Sequence, residues 1–389
     1  MNEKKKILIV NDDEGLREIF RLYLELKGFE IYEAEDGYKG IEQAMQVQPD
    51  LILLDVMMPG IDGYEVCRKL KADEKTNQIP IIFLSSLLNS SDKVKGLECG
   101  GVDFITNTAD QAEILARVET HLKIRALTQE IIANNQELLL KQKALNENLQ
   151  AAASIQQSLL PTKQSPLPNM KTAWACQPSE FIGGDIFNFI QLDKEHIAFY
   201  VLDVSGHGVP SAMVTVSISQ YLQQRNQTLN FIPSPKQMLE GLNREYPFEK
   251  FNMFSTVFYM LLNPQTGHLI YSSAGHPPPV LLSPHREFKL LDYAGAIIGI
   301  NPNFPYEERE EDFLPGDKLI LYTDGIIEYR NADKELYGSE QFYALLESIK
   351  RQPIEEIVKF VMEALRAFGG TDKPPQDDVT ILAIEFKKD

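Results

Sequence analysis

The sequence predicts three segments: an α/β doubly wound, five-stranded parallel domain, a coiled-coil helical linker, and an α+β sandwich with central sheets. Three observations point to this arrangement. Five short apolar runs alternate with helical patterns up to about residue 122. From Leu127 to Leu159 there is no glycine or proline, and apolar residues return every seven positions until Pro161. Beyond Pro161 strand patterns dominate, separated by a few helical stretches. The boundaries expected are 1–122, 123–160 and 161–389.

Composition narrows the class of protein. A chain of 389 residues, 43% hydrophobic, accommodates two or three domains with cores of their own. A net charge of −18 argues against nucleic acid or an anionic membrane surface as a partner. Three cysteines, Cys67, Cys99 and Cys176, have no metal-site spacing and suit a reducing compartment. No apolar run reaches the ~20 residues of a membrane span, and MNEKKK followed by a buried strand is not a signal peptide. A cytoplasmic, soluble protein is expected.

In the first domain, Lys6–Val10 reads as a buried parallel strand. It runs into Asn11, Asp12, Asp13 and Glu14, after which Leu16, Ile19, Phe20, Tyr23 and Leu24 keep helical spacing as far as Gly28. Further strands are expected at Glu30–Ala34, Leu51–Leu54, Ile81–Leu84 and Val102–Thr106. Ligands of such sheets bind off the carboxyl ends of the strands. Asp12, Asp55 and Ser85 follow or end three of them, and clustered carboxylates with a hydroxyl suit Mg²⁺. Ordinary acidic loop residues would explain any one of these positions, but all three coincide with strand ends.

The motifs ILIVNDDEGLR, PDLILLDVMMPGIDGYEVCRKL, IPIIFLSS and GVDFIT span this domain, which resembles the receiver domain of bacterial response regulators. The resemblance implies Asp55 as phosphoacceptor, one Mg²⁺ held by Asp12 and Asp55, Ser85 as the switch hydroxyl, and Phe104 as the aromatic that moves with it. It also implies a sensor histidine kinase as partner. Two positions depart from the family pattern: Asn11 replaces an acidic residue, and Asn107-Thr108 replace the usual Lys-Pro.

The last helix of this domain, near Ala109–Leu122, continues without interruption into the heptads. One row reads Ile131, Leu138, Leu145, Ala152, Leu159; the other reads Leu127, Asn134, Lys141, Asn148, Ile155. A wholly apolar seam beside one interrupted by asparagine suits a two-stranded coiled coil, hence a homodimer. A solvated helix that merely spaces two domains is the alternative.

After the proline break at Pro161, Pro166 and Pro168, strands are expected at Lys171–Cys176, Ile186–Gln191, His196–Asp203, Phe254–Asn263, His268–Ser273, Pro279–Leu282, Lys318–Tyr322 and Val379–Phe386. Helices are expected at Ser211–Gln224 and Ile354–Phe368. Acidic residues lie at strand ends or in glycine-rich turns: Asp185 after Gly183-Gly184, Asp203 in VLDVSGHG, Asp324 in LYTDGIIE, and Asp377-Asp378 in PPQDDVT. Separated carboxylates without a His/Cys cluster describe a hard-metal site, better suited to two Mg²⁺ or Mn²⁺ ions than to zinc. Ser205 and His207 lack a G-x-S-x-G elbow, and no H-E-x-x-H, Walker loop or G-x-G-x-x-G unit is present.

FIGGDIFNF, VLDVSGHGVPSAM, SAGHPPPVLL, LPGDKLILYTDGIIEYRN and DDVTILAIE, together with AASIQQSLLP, resemble the metal-dependent (PPM) protein serine/threonine phosphatases of the SpoIIE branch. That resemblance implies an α-β-β-α sandwich in which Asp185 and Asp203 bind two ions, with Asp203 bridging. Asp324 and Asp377 complete the second site, and the Val204 carbonyl is a further ligand. It implies hydrolysis of phosphoserine or phosphothreonine on a partner protein, with an anti-sigma-factor antagonist as the typical substrate. For His207, protonation of the leaving oxygen and a plain turn role both stay open, as they do for His276. The competing expectation is an adaptor whose phosphatase-like domain has lost catalysis; the presence of all four carboxylates speaks against it. A diguanylate-type or DNA-binding output finds no motif, since GGDIF lacks the acidic fourth position and no basic recognition helix exists.

Overall fold

The computed structural model describes residues 4–86, 90–161, 169–228, 232–284, 286–293, 295–370 and 374–387. Pro166 and Pro168 lie outside the described residues. The chain divides into two compact units, Met1–Gln142 and Lys143–Asp389.

The first unit runs β1 (Lys6–Val10), α1 (Glu14–Glu25), β2 (Glu30–Ala34), α2 (Gly37–Val47), β3 (Leu51–Asp55), α3 (Gly63–Ala72), β4 (Ile81–Ser85), α4 (Ser90–Glu98), β5 (Asp103–Thr106), and then the long α5 (Gln111–Gln157). Its five strands form a parallel sheet in the order β2-β1-β3-β4-β5. Nearly every central-strand residue is buried because helices cover both faces. Ile7, Ile9 and Leu53 pack against Phe20, Leu24, Ile114 and Val118 on one side. Leu8, Val10 and Leu54 pack against Val66, Cys67 and Leu70 on the other. Asp13, Asp36 and Asp62 cap α1, α2 and α3 by accepting from Leu16, Lys39 and Glu65 N–H groups.

The start of α5 belongs to this unit's core through Ile114, Leu115, Val118 and Leu122. Asp103 of β5 binds it by accepting from Arg117 at 2.8 and 3.0 Å and lying 3.1 Å from His121. Arg125 donates to the carbonyls of Pro49 and Asp50. Farther along, the apolar seam is exposed: Ile131 59%, Leu138 63%, Leu145 57%. Its expected last member is corrected. The helix ends at Gln157, and Leu159 packs into the second unit's core, its carbonyl accepting from Asn188 Nδ2 at 3.0 Å. Burial against that core outcompetes one more heptad position.

The second unit contains β6 (Met170–Gln177), β7 (Ile186–Gln191), β8 (Ile197–Val204), α6 (Val209–Thr228), α7 (Pro235–Glu245), α8 (Phe248–Phe251), β9 (Ser255–Leu262), β10 (His268–Ala274), β11 (Val280–Leu282), β12 (Lys289–Leu290), β13 (Arg309–Asp312), β14 (Lys318–Tyr322), α9 (Ser339–Ile349), α10 (Ile354–Gly369) and β15 (Val379–Phe386). Two antiparallel five-stranded sheets form, β13-β10-β9-β8-β7 and β12-β11-β14-β15-β6. Phe187, Phe199, Phe258 and Met260 of the first sheet meet Leu319, Leu321 and Leu382 of the second in a central core. The outer face of one sheet carries α6 and α7 through Ile218, Leu222, Met238 and Leu242. The other carries α9 and α10 through Phe342, Leu346, Ile357 and Val361. This is the α-β-β-α sandwich.

The elements added by the structure carry weak sequence signals. The two residues of β12 are too few to alternate, and β13 is the charged edge segment REED. In α7 the signal is at its start, where Ser234 and Gln237 form a capping box ahead of Pro235.

Candidate active site

Asp185 stands directly before β7, and Asp203 is the penultimate residue of β8, its partner strand. Asp324 opens a short 3₁₀ turn, Asp324–Ile326, after β14, while Asp377 and Asp378 precede β15. The two sheets therefore deliver their carboxylates to one end of the sandwich. A direct bond joins them: Thr323 Oγ1 donates to Asp185 Oδ2 at 2.7 Å and accepts from the Thr380 N–H at 3.1 Å.

Electrostatics shows that these acids act on one another. Asp185, 6% exposed, is pushed well above the usual carboxylate range by burial and then by the charge of Asp203. Burial, followed by Asp324, Asp377 and Asp378, drives Asp203 up to about 8. Asp324 rises to about 6 through burial, Asp377 and Glu328. Asp377 rises through burial, with Asp378 and Glu328 adding to the shift and His207 opposing it. Such a cluster is costly unless protonated or neutralised by a cation.

The donor chemistry fits hard divalent ions. Carboxylate oxygens converge on the end of the sandwich where the Val204 carbonyl also lies. A Cβ on Gly184 would stand 2.4 Å from that carbonyl, so only glycine permits the approach. Among the described residues, no three Asp, Glu, His or Cys side chains stand together in ion-holding geometry on their own.

Asp378 has a different role. Its Oδ1 accepts from Ser179 N–H and Oγ at 2.8 and 3.0 Å, and its Oδ2 accepts from Gly184 N–H at 2.6 Å. Oδ2 holds the glycine loop that carries Asp185, and Oδ1 holds Ser179 upstream of it. Thr323, Ser179 and Thr215, whose hydroxyl donates to the Gly184 carbonyl at 2.6 Å, were not singled out from the sequence. The threonine preceding Asp324 in LYTDG was the available signal. His207 is exposed, with Nδ1 3.1 Å from Glu180. His276 is buried, 2.8 Å from Thr256 Oγ1, and burial lowers it to about 3, keeping it neutral.

In the first unit, Asp55 is 7% exposed at the end of β3. Burial raises it to about 6; the Met57 N–H works against that, and Asp12 adds to it. Asn11 is fully buried, accepting from the Asp13 N–H at 2.8 Å, while its own carbonyl accepts from Arg17 at 2.7 Å. Its Nδ2 and the Asn107 Oδ1 are buried without partners. Asn107 N–H donates to the carbonyl of Ser85, itself 8% exposed. Phe104 is turned inward, stacked on Phe83 at 5.3 Å and packed over Gly96.

A family model described as stage II sporulation protein E (SpoIIE) matches residues 193–387. The chain belongs to the SpoIIE family. Asp203, Asp324 and Asp377 fall inside the match, and Asp185 precedes it. A response regulator receiver domain model matches residues 7–119, so this SpoIIE-family chain carries a receiver domain ahead of its phosphatase domain. Its receiver is similar to the DNA-binding dual master transcriptional regulator RpaA of Synechocystis, 42% identical over 118 residues, covering 30% of this chain and 49% of that one. It is also similar to the response regulator PleD of Caulobacter vibrioides, 38% identical over 126 residues, covering 32% and 28%. The chain thus spans half or less of these two relatives. The SiaA-PP2C domain of Pseudomonas aeruginosa superposes with a TM-score of 0.57 at 23% identity, covering 65% of this chain and all of that domain. That likeness establishes the sandwich fold.

Proposed function

We propose that this SpoIIE-family chain is a two-component response regulator whose output is a metal-dependent phosphatase acting on phosphoserine or phosphothreonine of a partner protein. The supporting observation is the buried pair Asp185–Asp203: burial and the charge of Asp203 raise Asp185, and burial with Asp324 and Asp377 raises Asp203. Asp185, Asp203 and the Val204 carbonyl would hold two Mg²⁺ or Mn²⁺ ions, with Asp324 and Asp377 completing the set. Bound there, the ions would acidify the attacking water and neutralise charge on the phosphoryl oxygens. Thr323 fixes the Asp185 carboxylate, and Asp378 fixes its loop, so the donors are preorganised.

In the receiver, Asp55 is the phosphoacceptor, Asp12 and Asp55 would hold a Mg²⁺, and Ser85 and Phe104 respond to phosphorylation by a sensor histidine kinase. The exposed Ile131–Leu138–Leu145 row supports a homodimer through the linker. An anti-sigma-factor antagonist is the proposed substrate. Among the described residues no helix is long and apolar enough to cross a membrane, and the three cysteines are free thiols, which suits a cytoplasmic setting.

The test is hydrolysis of para-nitrophenyl phosphate and of a phosphoserine peptide with Mn²⁺, with and without acetyl phosphate. Wild type turns over both substrates, Asp203→Ala turns over neither, and Asp55→Ala retains turnover but not the response to acetyl phosphate. Absence of metal-dependent turnover in wild type on both substrates would point to an adaptor instead.

A further inference from the structure

Gln156 lies in the last turn of α5, one residue before the helix ends. Its Nε2 donates to the Gly183 carbonyl at 2.7 Å, and its Oε1 accepts from the Gly183 N–H at 3.4 Å. One side-chain amide thus pairs with both backbone groups of the residue that opens Gly183-Gly184-Asp185. The next residue is equally constrained: Gly184 donates to Asp378, and its carbonyl accepts from Thr215 Oγ1 and the Val204 N–H. Every polar backbone atom of the two glycines is therefore paired, and the pair at Gly183 depends on the helix. Beside this bridge is a cavity of about 500 Å³, lined by Ala153, Gln156, Trp174, Cys176, Phe181 and Asp185 among others. With that open space alongside, the amide bridge rather than close packing ties this part of the helix to the loop.

We propose that Gln156 is a positioning residue for Asp185. It holds the glycine loop in register with the end of α5, so the ion-binding carboxylate is in place only while the last helical turn is docked. This rests on the phosphatase reading above and extends it to the point where a movement of the linker helix would reach the ion site. Gly183 cannot carry a side chain to secure itself, because a Cβ there would come within 2.3 Å of the Asp378 carboxylate. An outside group has to hold it, and Gln156 does so.

The test uses the full chain with Gln156→Ala and Gln156→Glu, the latter keeping shape and acceptor but losing the donor of the 2.7 Å bond. Three quantities are measured: Mn²⁺ affinity by calorimetry without substrate, kcat and KM for para-nitrophenyl phosphate, and acrylamide quenching of Trp174, the single tryptophan. Both variants are expected to bind Mn²⁺ about tenfold more weakly, the size of effect a lost hydrogen bond of ordinary strength produces. KM at saturating Mn²⁺ stays unchanged, Trp174 in the metal-free protein becomes more quenchable, and circular dichroism stays that of wild type. Wild-type Mn²⁺ affinity in Gln156→Glu overturns the hydrogen-bond role, and wild-type affinity in Gln156→Ala overturns the proposal entirely. If circular dichroism shows either variant unfolded, Gln156 is a folding residue and the positioning role is likewise overturned. A wild type that binds Mn²⁺ in a Gln156-dependent way without turnover would sink the phosphatase reading and leave this inference standing.

Discussion

Replacing Asp203 by asparagine removes the central charge of the acidic cluster while preserving its shape. In the ion-free chain Asp203 is raised from 3.8 to about 8. The folded state therefore holds this proton more tightly than the unfolded chain does. The stability it contributes is complete below about pH 4 and is lost as the pH climbs toward 8. At pH 7 the folded chain still holds this proton, which the unfolded chain would release, and that costs at most about 4 kcal/mol, from roughly three units at 1.36 kcal/mol each. Hydration of the site reduces this, and about 2 kcal/mol is expected. Asp203→Asn should then raise the thermal midpoint in EDTA at pH 7.5 by about 4–8 °C and leave it unchanged near pH 4.5. Trp174 fluorescence isolates the transition of the second unit, since the chain has no other tryptophan. Excess Mn²⁺ should stabilise wild type, by about 2.7 kcal/mol at a hundredfold excess over Kd, and do little for the variant. The reasoning is refuted if Asp203→Asn is less stable than wild type at both pH values, or if both proteins share one pH dependence.

Two further outcomes follow from the same geometry. Gly183→Ala would drive a methyl to within 2.3 Å of Asp378 Oδ2. It should destabilise the second unit by about 1–3 kcal/mol and lower Mn²⁺-dependent turnover at least tenfold, as read by urea denaturation and para-nitrophenyl phosphate hydrolysis. Leu138→Asp with Leu145→Asp places two charges on the exposed seam. Sedimentation should show a dimeric wild type and a monomeric double variant; a monomeric wild type would refute the coiled coil.

The parallel sheet and most of the antiparallel strands were legible because each is a short apolar run bounded by turn residues. Ile186–Gln191, Lys318–Tyr322 and Val379–Phe386 have the expected bounds. The segments that escaped were those whose stability comes from neighbours: the edge strand REED pairs with β10 through its backbone, and α9 is secured by Phe342 and Leu346 packing under β14. Asp185, Asp203, Asp324 and Asp377 were nameable because glycine-flanked acids at strand ends form a one-dimensional pattern. That Asp378 binds the loop rather than joining them was not legible. Its partners Ser179 and Gly184 are some 200 residues away in the chain.

The sequence alone determined the order of domains, the placing of acidic residues at strand ends and the helix that joins the two units, since periodicity and local turn chemistry are properties of neighbouring residues. Only the tertiary structure decided which carboxylates face one another, that Thr323 bridges the two sheets to Asp185, that Leu159 leaves the heptad seam for the core, and that Gln156 grips Gly183. These depend on contacts between distant segments and on burial. Burial turns an ordinary aspartate into one that keeps its proton to about pH 8.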